Sequence, residues 1–168
     1  MLTWIMFLKF LDDMERLKEA EEYITQGALE GSSAKIFRNG TLLIALYGAN
    51  VGMTGILGLD AATNQAICAV FPKKELLERD YLYWFFRKMR PDYLKNSFGG
   101  AQPNISQKMI RETEIALPPL PEQRRIVAYL DVLQAKVDTL RRLQAETGAE
   151  MDALLPAVLD RTFKGELL

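Results

Sequence analysis

Apolar residues recur at alternating three- and four-residue steps across the last third of the chain. Ile126, Leu133, Leu140, Thr147 and Leu154 share one heptad position, and Leu130, Val137, Gln144, Met151 and Val158 share another four residues on. Such a seam predicts a long helix that pairs with another helix, weakened from Gln144 to Gly148. Pro121 suits the first helical position, because its missing N–H would be unpaired there in any case. Glu122 is favourable at the positive end of the helix dipole. Unbroken, 122–163 would run for roughly 60 Å at about 1.5 Å per residue. Gly148 and Pro156 predict either a kinked rod or two helical sections.

Upstream the pattern changes period. The run TLLIALY at 41–47, bounded by Asn39-Gly40 and Gly48, predicts a buried strand. Two more strands are expected at 53–59 and 65–71, separated by a polar turn at 60–64. From 76 to 95, Leu77, Tyr81, Trp84, Phe85 and Met89 recur at helical spacing, with Pro91 interrupting the helix or ending its first section. Ser106 suits the N-cap of a short helix to Arg111, and 114–117 reads as a brief strand. At the other end, 2–22 lacks Gly and Pro and reads as a helix. Its first three turns (Trp4, Ile5, Met6, Phe7, Leu8, Phe10, Leu11) are apolar nearly all round and need burial in this chain or in a partner. The expected fold class is α/β (α+β), followed by long coiled-coil-like α-helices.

Composition narrows the chemistry. The 168 residues contain no histidine, which removes imidazole bases, Ser-His-Asp and Cys-His triads and H-E-x-x-H zinc sites. The single cysteine, Cys68, excludes an intrachain disulfide and a Cys-rich metal site. The segment 1–11 fits neither a signal peptide nor a membrane span, so a cytoplasmic location with no membrane contact is expected. The net charge of −1 is uninformative until it is divided. Residues 1–30 carry three bases and seven acids, 31–117 eleven bases and seven acids, and 118–168 seven bases and eight acids. Gly31-Ser32-Ser33 and the stiff Pro118-Pro119-Leu120-Pro121 mark the boundaries.

Several motifs admit two readings. The segment from Gly48 to Thr54 follows a strand as a phosphate loop would. Its glycines, however, are separated by three residues rather than four, and Met53 stands at the lysine position. A strand-connecting turn that needs glycine backbone angles is the alternative. Pro118-Pro119 lies between leucines, without the Asn and aromatic ring of an adenine-methylating loop, and no acidic nuclease cluster is visible. The segment Gly99-Gly-Ala-Gln102-Pro-Asn104-Ile-Ser106 either caps the following helix or offers amides to adenine and a helix N-terminus to phosphate. Arg87, Lys88, Arg90 and Lys95, interleaved with aromatic residues, are either a solvated helix face or a DNA-backbone contact.

Leu117-Pro-Pro-Leu-Pro-Glu-Gln-Arg-Arg-Ile126 resembles the L-P-P-L-x-E-Q-x-x-I signature of the specificity (S) subunit of type I restriction-modification systems. Also similar to that family, and in its order, are Gly40-Thr-Leu-Leu-Ile-Ala-Leu-Tyr-Gly-Ala49, Gly52-x-Thr54, Ala62-Thr-Asn-Gln-Ala-Ile-Cys68, Gly100-Ala-Gln-Pro-Asn-Ile-Ser106 and Phe163-Lys-Gly-Glu-Leu167. The resemblance runs from about Tyr23 onward. It implies a non-catalytic DNA-recognition subunit without a cofactor, in which a target-recognition domain reads one half of a bipartite site in double-stranded DNA. Helices then act as a spacer and dock methyltransferase subunits, and the assembly recruits a restriction subunit.

Two departures stand out. Only the distal portion of one recognition domain and one helical region are present, and 2–22 resembles instead a helical segment of the modification subunit. A fused or truncated locus, or a designed chain, would account for this. The expected division is therefore 1–22 as an N-terminal helix, 23–117 as a partial target-recognition domain, and 118–168 as a helical spacer and dimerisation region. Arg38, Tyr47, Asn50, Thr54, Gln102, Asn104 and Lys108 are expected on DNA-facing loops. Ile126, Leu130, Leu133, Val137, Leu140, Met151, Leu154 and Val158 are expected at subunit association, including a homodimer through the C-terminal helices. The rival is a coiled-coil interaction module that has lost DNA recognition.

Overall fold

The computed structural model describes residues 2–5, 16–17, 22–25, 27, 30–31, 35–63, 65–99 and 103–165. Its strands are β1 (Leu2–Ile5), β2 (Arg16–Leu17), β3 (Glu22–Thr25), β4 (Lys35–Phe37), β5 (Leu42–Ala45), β6 (Thr54–Leu57), β7 (Ala61–Thr63) and β8 (Ile67–Val70). The helices are α1 (Arg79–Lys95), α2 (Gln107–Arg111) and α3 (Leu120–Phe163), with a 3-10 turn at Gly48–Asn50. Strands pair in the orders β3-β1-β7-β4 and β2-β6-β5-β8. Pairing is antiparallel except where β1 meets β7 and β2 meets β6. Two units divide the chain, Met1–Arg125 and Ile126–Leu168. The α+β class read from the sequence is the one observed.

All four residues of β5 are buried, because both faces of the strand are covered. Leu42 and Ile44 join Leu46, Val51 and Ile56 against Leu82, Tyr83, Phe86 and Tyr93 of α1, with Ile105 and Ile110 closing the cluster. Leu43 turns the other way, to Leu57 and Ala61, with Phe37, Leu59, Ile67 and Ala69 around them. Alternation of side chains along a strand thus feeds two apolar clusters from one short run. The buried residues of α1, Leu82, Tyr83, Phe86 and Tyr93, are related by steps of three, four and seven, so they share one stripe of the helix, which faces the sheet.

Four readings need correction. The segment 2–22 is not a helix: it contributes β1 and β2, and β3 begins at Glu22. The cause is pairing with distant strands, Ile5 with Ala62 and Arg16 with Ile56, which supplies hydrogen bonds that a local reading does not see. The turn expected at 60–64 contains β7, whose small Ala61 and Ala62 fit between β1 and β4. The strand expected at 114–117 is absent, and that stretch leads to α3 without regular structure. Helix α3 is a single element through Gly148 and Pro156, so of its two expected forms the pair of separate helical sections does not occur, and α1 runs through Pro91. A proline removes one backbone bond (about 3 kcal/mol in a helix interior), and each helix has turns on both sides that hold their own bonds.

The loop after β5 shows why glycines punctuate it. Gly48 and Gly52 adopt φ of 74° and 73°. A Cβ at Gly52 would lie 3.2 Å from Arg90 Cγ, whereas one at Gly48 would meet nothing within 4 Å. Gly48→Ala is therefore expected to lose only the left-handed strain, about 1 kcal/mol. Gly52→Ala should lose clearly more, because Arg90 and Tyr93 must also shift. Urea midpoints of the two variants, followed by Trp fluorescence, measure the difference.

Candidate nucleic-acid interface

The loops around the 3-10 turn are tied to the segment before α2 by main-chain bonds. Gly48 N–H donates to Pro103 O at 2.9 Å, and Ile105 N–H donates to Leu46 O at 2.9 Å. This pattern places Tyr47 opposite Asn104, and Phe98 pairs with the other side of Asn104 by donating its N–H to Asn104 O at 2.9 Å. Tyr47 and Asn104, 57 positions apart in sequence, are thus neighbours, and both are exposed. Ser106 caps α2 as expected, its Oγ accepting from Met109 N–H at 3.2 Å. Asn104 has no part in that cap.

The other expected loop residues are placed as follows. Asn50 is half-buried at the end of the 3-10 turn, and its carbonyl accepts from Met53 N–H. Thr54 does not face solvent: it is a buried residue of β6, with its hydroxyl donating to Gly52 O at 3.4 Å. Strand packing of Gly52-x-Thr54 explains the motif better than contact with a ligand. Gln102 lies outside the described residues. Lys108 is exposed, 3.7 Å from Glu112 one helical turn on.

Arg38 donates to Asp60 Oδ2 at 2.7 Å, and Asn39 N–H donates to Asp60 Oδ1 at 2.7 Å. The Asn39 N–H first, and the Arg38 guanidinium second, hold the Asp60 carboxyl below its usual value. Because the folded-state value is the lower one, this contribution is present above the unfolded-state pKa and is lost as pH falls through the folded one. Arg38→Ala should therefore raise the Asp60 pKa only part of the way, the Asn39 bond persisting. A carboxyl-carbon NMR titration reads this directly.

The basic cluster separates into two kinds. Arg87 stacks over Trp84 at 4.9 Å and donates to Tyr83 Oη at 2.9 Å. Arg90 donates from Nε to Val51 O at 3.3 Å, anchoring the loop to α1. These two guanidinium groups hold the fold. Lys88 and Lys95 are exposed and, among the described residues, unpaired with any carboxylate. Below the loops, Tyr93 O–H donates to Thr113 Oγ1, which itself donates to Met109 O, each at 2.7 Å. Among the described residues, no group of three His, Cys, Asp or Glu side chains gathers where a metal ion would sit.

One residue that the sequence reading quoted without a role proves central. Gln123 is completely buried at the start of α3. Its Oε1 accepts from Glu78 N–H at 2.9 Å, and its Nε2 donates to Leu76 O and Pro118 O, both at 2.8 Å. The neighbouring Glu122 pairs with Arg125 at 2.7 Å, which holds its carboxyl below the usual value. Along α3, Leu133, Val137, Leu140, Met151, Leu154 and Val158 are all exposed, while Ile126 and Leu130 are half-buried.

A family model described as "Type I restriction modification DNA specificity domain" matches residues 10–147. The match includes residues from 10 to 22, which the sequence reading had assigned to a different subunit. The specificity subunit of type I restriction enzyme MjaIX from Methanocaldococcus jannaschii is 29% identical over 128 residues, 75% of this chain. A chain from a solved type I R-M system, studied for complex assembly and conformational transition, superposes with a TM-score of 0.71 and 40% identity over 79% of this chain. The HsdS subunit from Thermoanaerobacter tengcongensis gives a TM-score of 0.57 and 39% identity over 79%. This chain spans about a third of each of these relatives: 29%, 33% and 32%.

Proposed function

Because this chain belongs to the type I restriction-modification DNA specificity family, we propose that it recognises one half of a bipartite site in double-stranded DNA and has no chemistry of its own. The observation that carries this reading is the family match across 10–147, which takes in both the loop cluster and the first turns of α3. Tyr47, Asn104 and Lys108 are its exposed DNA-facing candidates, joined by Arg38 at the far side of β5 and by Asn50 within the turn. Helix α3 supplies the association surface. Its exposed seam residues fit a second α3 in a homodimer and methyltransferase subunits docked alongside, with a restriction subunit recruited to a cytoplasmic assembly.

Salt dependence tests the DNA reading. Phosphate contacts release counterions, so roughly four or five of them give a slope of log K against log salt near about −4. Anisotropy of a labelled duplex titrated with the full chain at several salt concentrations measures it. The exposed apolar seam favours a second reading, an adaptor that associates through α3 without touching DNA. That reading predicts co-purification with the methyltransferase subunit and no salt-dependent duplex binding.

A further inference from the structure

The seam of α3 is apolar at both ends and polar in the middle. Leu133, Val137 and Leu140 precede Gln144 and Thr147, and Met151, Leu154 and Val158 follow them; all eight are exposed. Paired helices bury such positions in layers, and an antiparallel pair joins each kind of seam position to the other kind. A two-fold axis between Ala145 and Glu146 sets Leu140 against the partner's Met151 and Val137 against the partner's Leu154. It also sets Leu133 against the partner's Val158, and Gln144 against the partner's Thr147. Symmetry makes each pairing occur twice. Every exposed apolar member thus meets another, and the polar members meet each other. The two seam residues left without an apolar partner, Ile126 and Leu130, are the two already half-buried in their own chain.

The alternatives are worse matched. Sliding the partner by one heptad sets Gln144 against a leucine, the partner's Leu140 in one direction and the partner's Leu154 in the other. The first of these slides also brings Arg141 against the partner's Arg141. A parallel pair in register matches polar with polar, but it places Lys136 beside the partner's Arg141 on both sides. In the antiparallel arrangement centred at 145–146, the residues flanking the seam bring no like charges together. Lys136 lies beside the partner's Ala157 and Arg141 beside the partner's Gly148, small residues that leave room for long basic stems. A glycine in a helix interior costs about 1 kcal/mol relative to alanine. A Cβ at Gly148 would meet nothing within 4 Å, so its own chain does not call for a glycine there.

We propose that the occupant of the α3 seam is a second copy of this chain, antiparallel, in the register that stacks Gln144 on the partner's Thr147, and that this polar layer sets the register. A polar layer in an apolar seam specifies alignment at a cost in stability. The span from Leu133 to Val158 is nearly four heptads, the length that sustains a coiled coil. The inference rests on the α3 homodimer proposed above and adds to it the direction, the register and the residues that fix both.

The test uses the full chain carrying Cys68→Ala, so that introduced thiols are the only ones. Sedimentation velocity reads association, and far-UV circular dichroism confirms that each variant is folded. Leu140→Cys protein co-refolded with Met151→Cys protein should give a disulfide-linked dimer on oxidation, because the two positions share a layer. Leu133→Cys with Met151→Cys should not, since one heptad of offset separates them by about 10 Å along the axis, too far for a disulfide. Leu140→Cys alone should not cross-link either, although a parallel pair would link it to itself. Adding Gln144→Leu and Thr147→Leu to both chains should tighten the dimer and let the Leu133→Cys and Met151→Cys mixture begin to cross-link. Unchanged cross-linking in those leucine variants overturns the role of the polar layer. A dimer that leaves Leu140→Cys and Met151→Cys unlinked, or that links through either other combination in the presence of Gln144 and Thr147, overturns the register and leaves self-association intact. A chain that remains monomeric at every concentration overturns both.

Discussion

Gln123→Ala is expected to destabilise the Met1–Arg125 unit by about 3–5 kcal/mol, seen as a lower urea midpoint of Trp fluorescence at unchanged slope. A fully buried amide makes three hydrogen bonds, and its loss strands Glu78 N–H and the carbonyls of Leu76 and Pro118. Each bond contributes about 1 kcal/mol net, and removing a completely buried side chain adds the cost of the cavity that it leaves. Gln123→Glu separates polarity from volume. Its carboxylate can still accept from Glu78, but at neutral pH it offers no proton to the two carbonyls. Burial raises the pKa of such a carboxyl, so the folded state binds the extra proton. Stability of this variant should then fall as pH rises from the unfolded-state pKa through the folded one. Gln123→Glu should accordingly be less damaging near pH 4 than near pH 7, a trend that Gln123→Ala lacks. Equal midpoints for Gln123→Ala and wild type would show that the contact is dispensable.

The second large effect lies in β5. Leu43→Ala should destabilise the same unit by about 3–5 kcal/mol, because a completely buried side chain leaves a cavity between strands that cannot easily collapse. Leu43 belongs to the smaller cluster, where the large neighbours Leu57, Phe37 and Ile67 are each fixed on a strand of their own and are not free to refill the space. Leu43→Met, close in volume, should lose less than about 1.5 kcal/mol. Thermal unfolding of the pair distinguishes lost packing from lost strand propensity. A loss from Leu43→Met as large as that from Leu43→Ala would point to backbone disruption instead.

What the sequence discloses follows the range of the interaction that decides each element. β5, β6 and β8 are legible because their apolar runs end at Asn39-Gly40, Gly48 and the polar residues near 60–66. The Ser106 cap is legible because capping is a rule spanning three residues. The long α3 is legible because a heptad repeat needs no partner to be counted. By contrast, β1 carries Thr3, Trp4 and Ile5, which suit a strand, but an uninterrupted apolar stretch without Gly or Pro suits a helix as well. Pairing with β7 and β3 decides the matter. β7 itself hides behind Asp60 as an apparent turn. The site divides in the same way. Asn104 and Tyr47 could be picked out by residue type, Thr54 could not be distinguished from a loop residue until its burial was known, and Phe98 gives no local signal at all. Gln123 is visible only as part of a motif, since its three partners come from 76–78 and 118.

The parallel pairings of β1 with β7 and β2 with β6 bear on how the protein is made. Ile5 must wait for Ala62 and Arg16 for Ile56, so neither sheet is complete until the segment through Ala62 has left the ribosome. Hairpins such as β5–β6 close early at little entropic cost, whereas these crossings close large loops and belong to the slow steps of folding. During that interval the apolar residues from Trp4 to Leu11 are exposed to other nascent chains. Yield on expression should accordingly respond more to the rate of synthesis between Ile5 and Ala62 than to changes in the long helix α3.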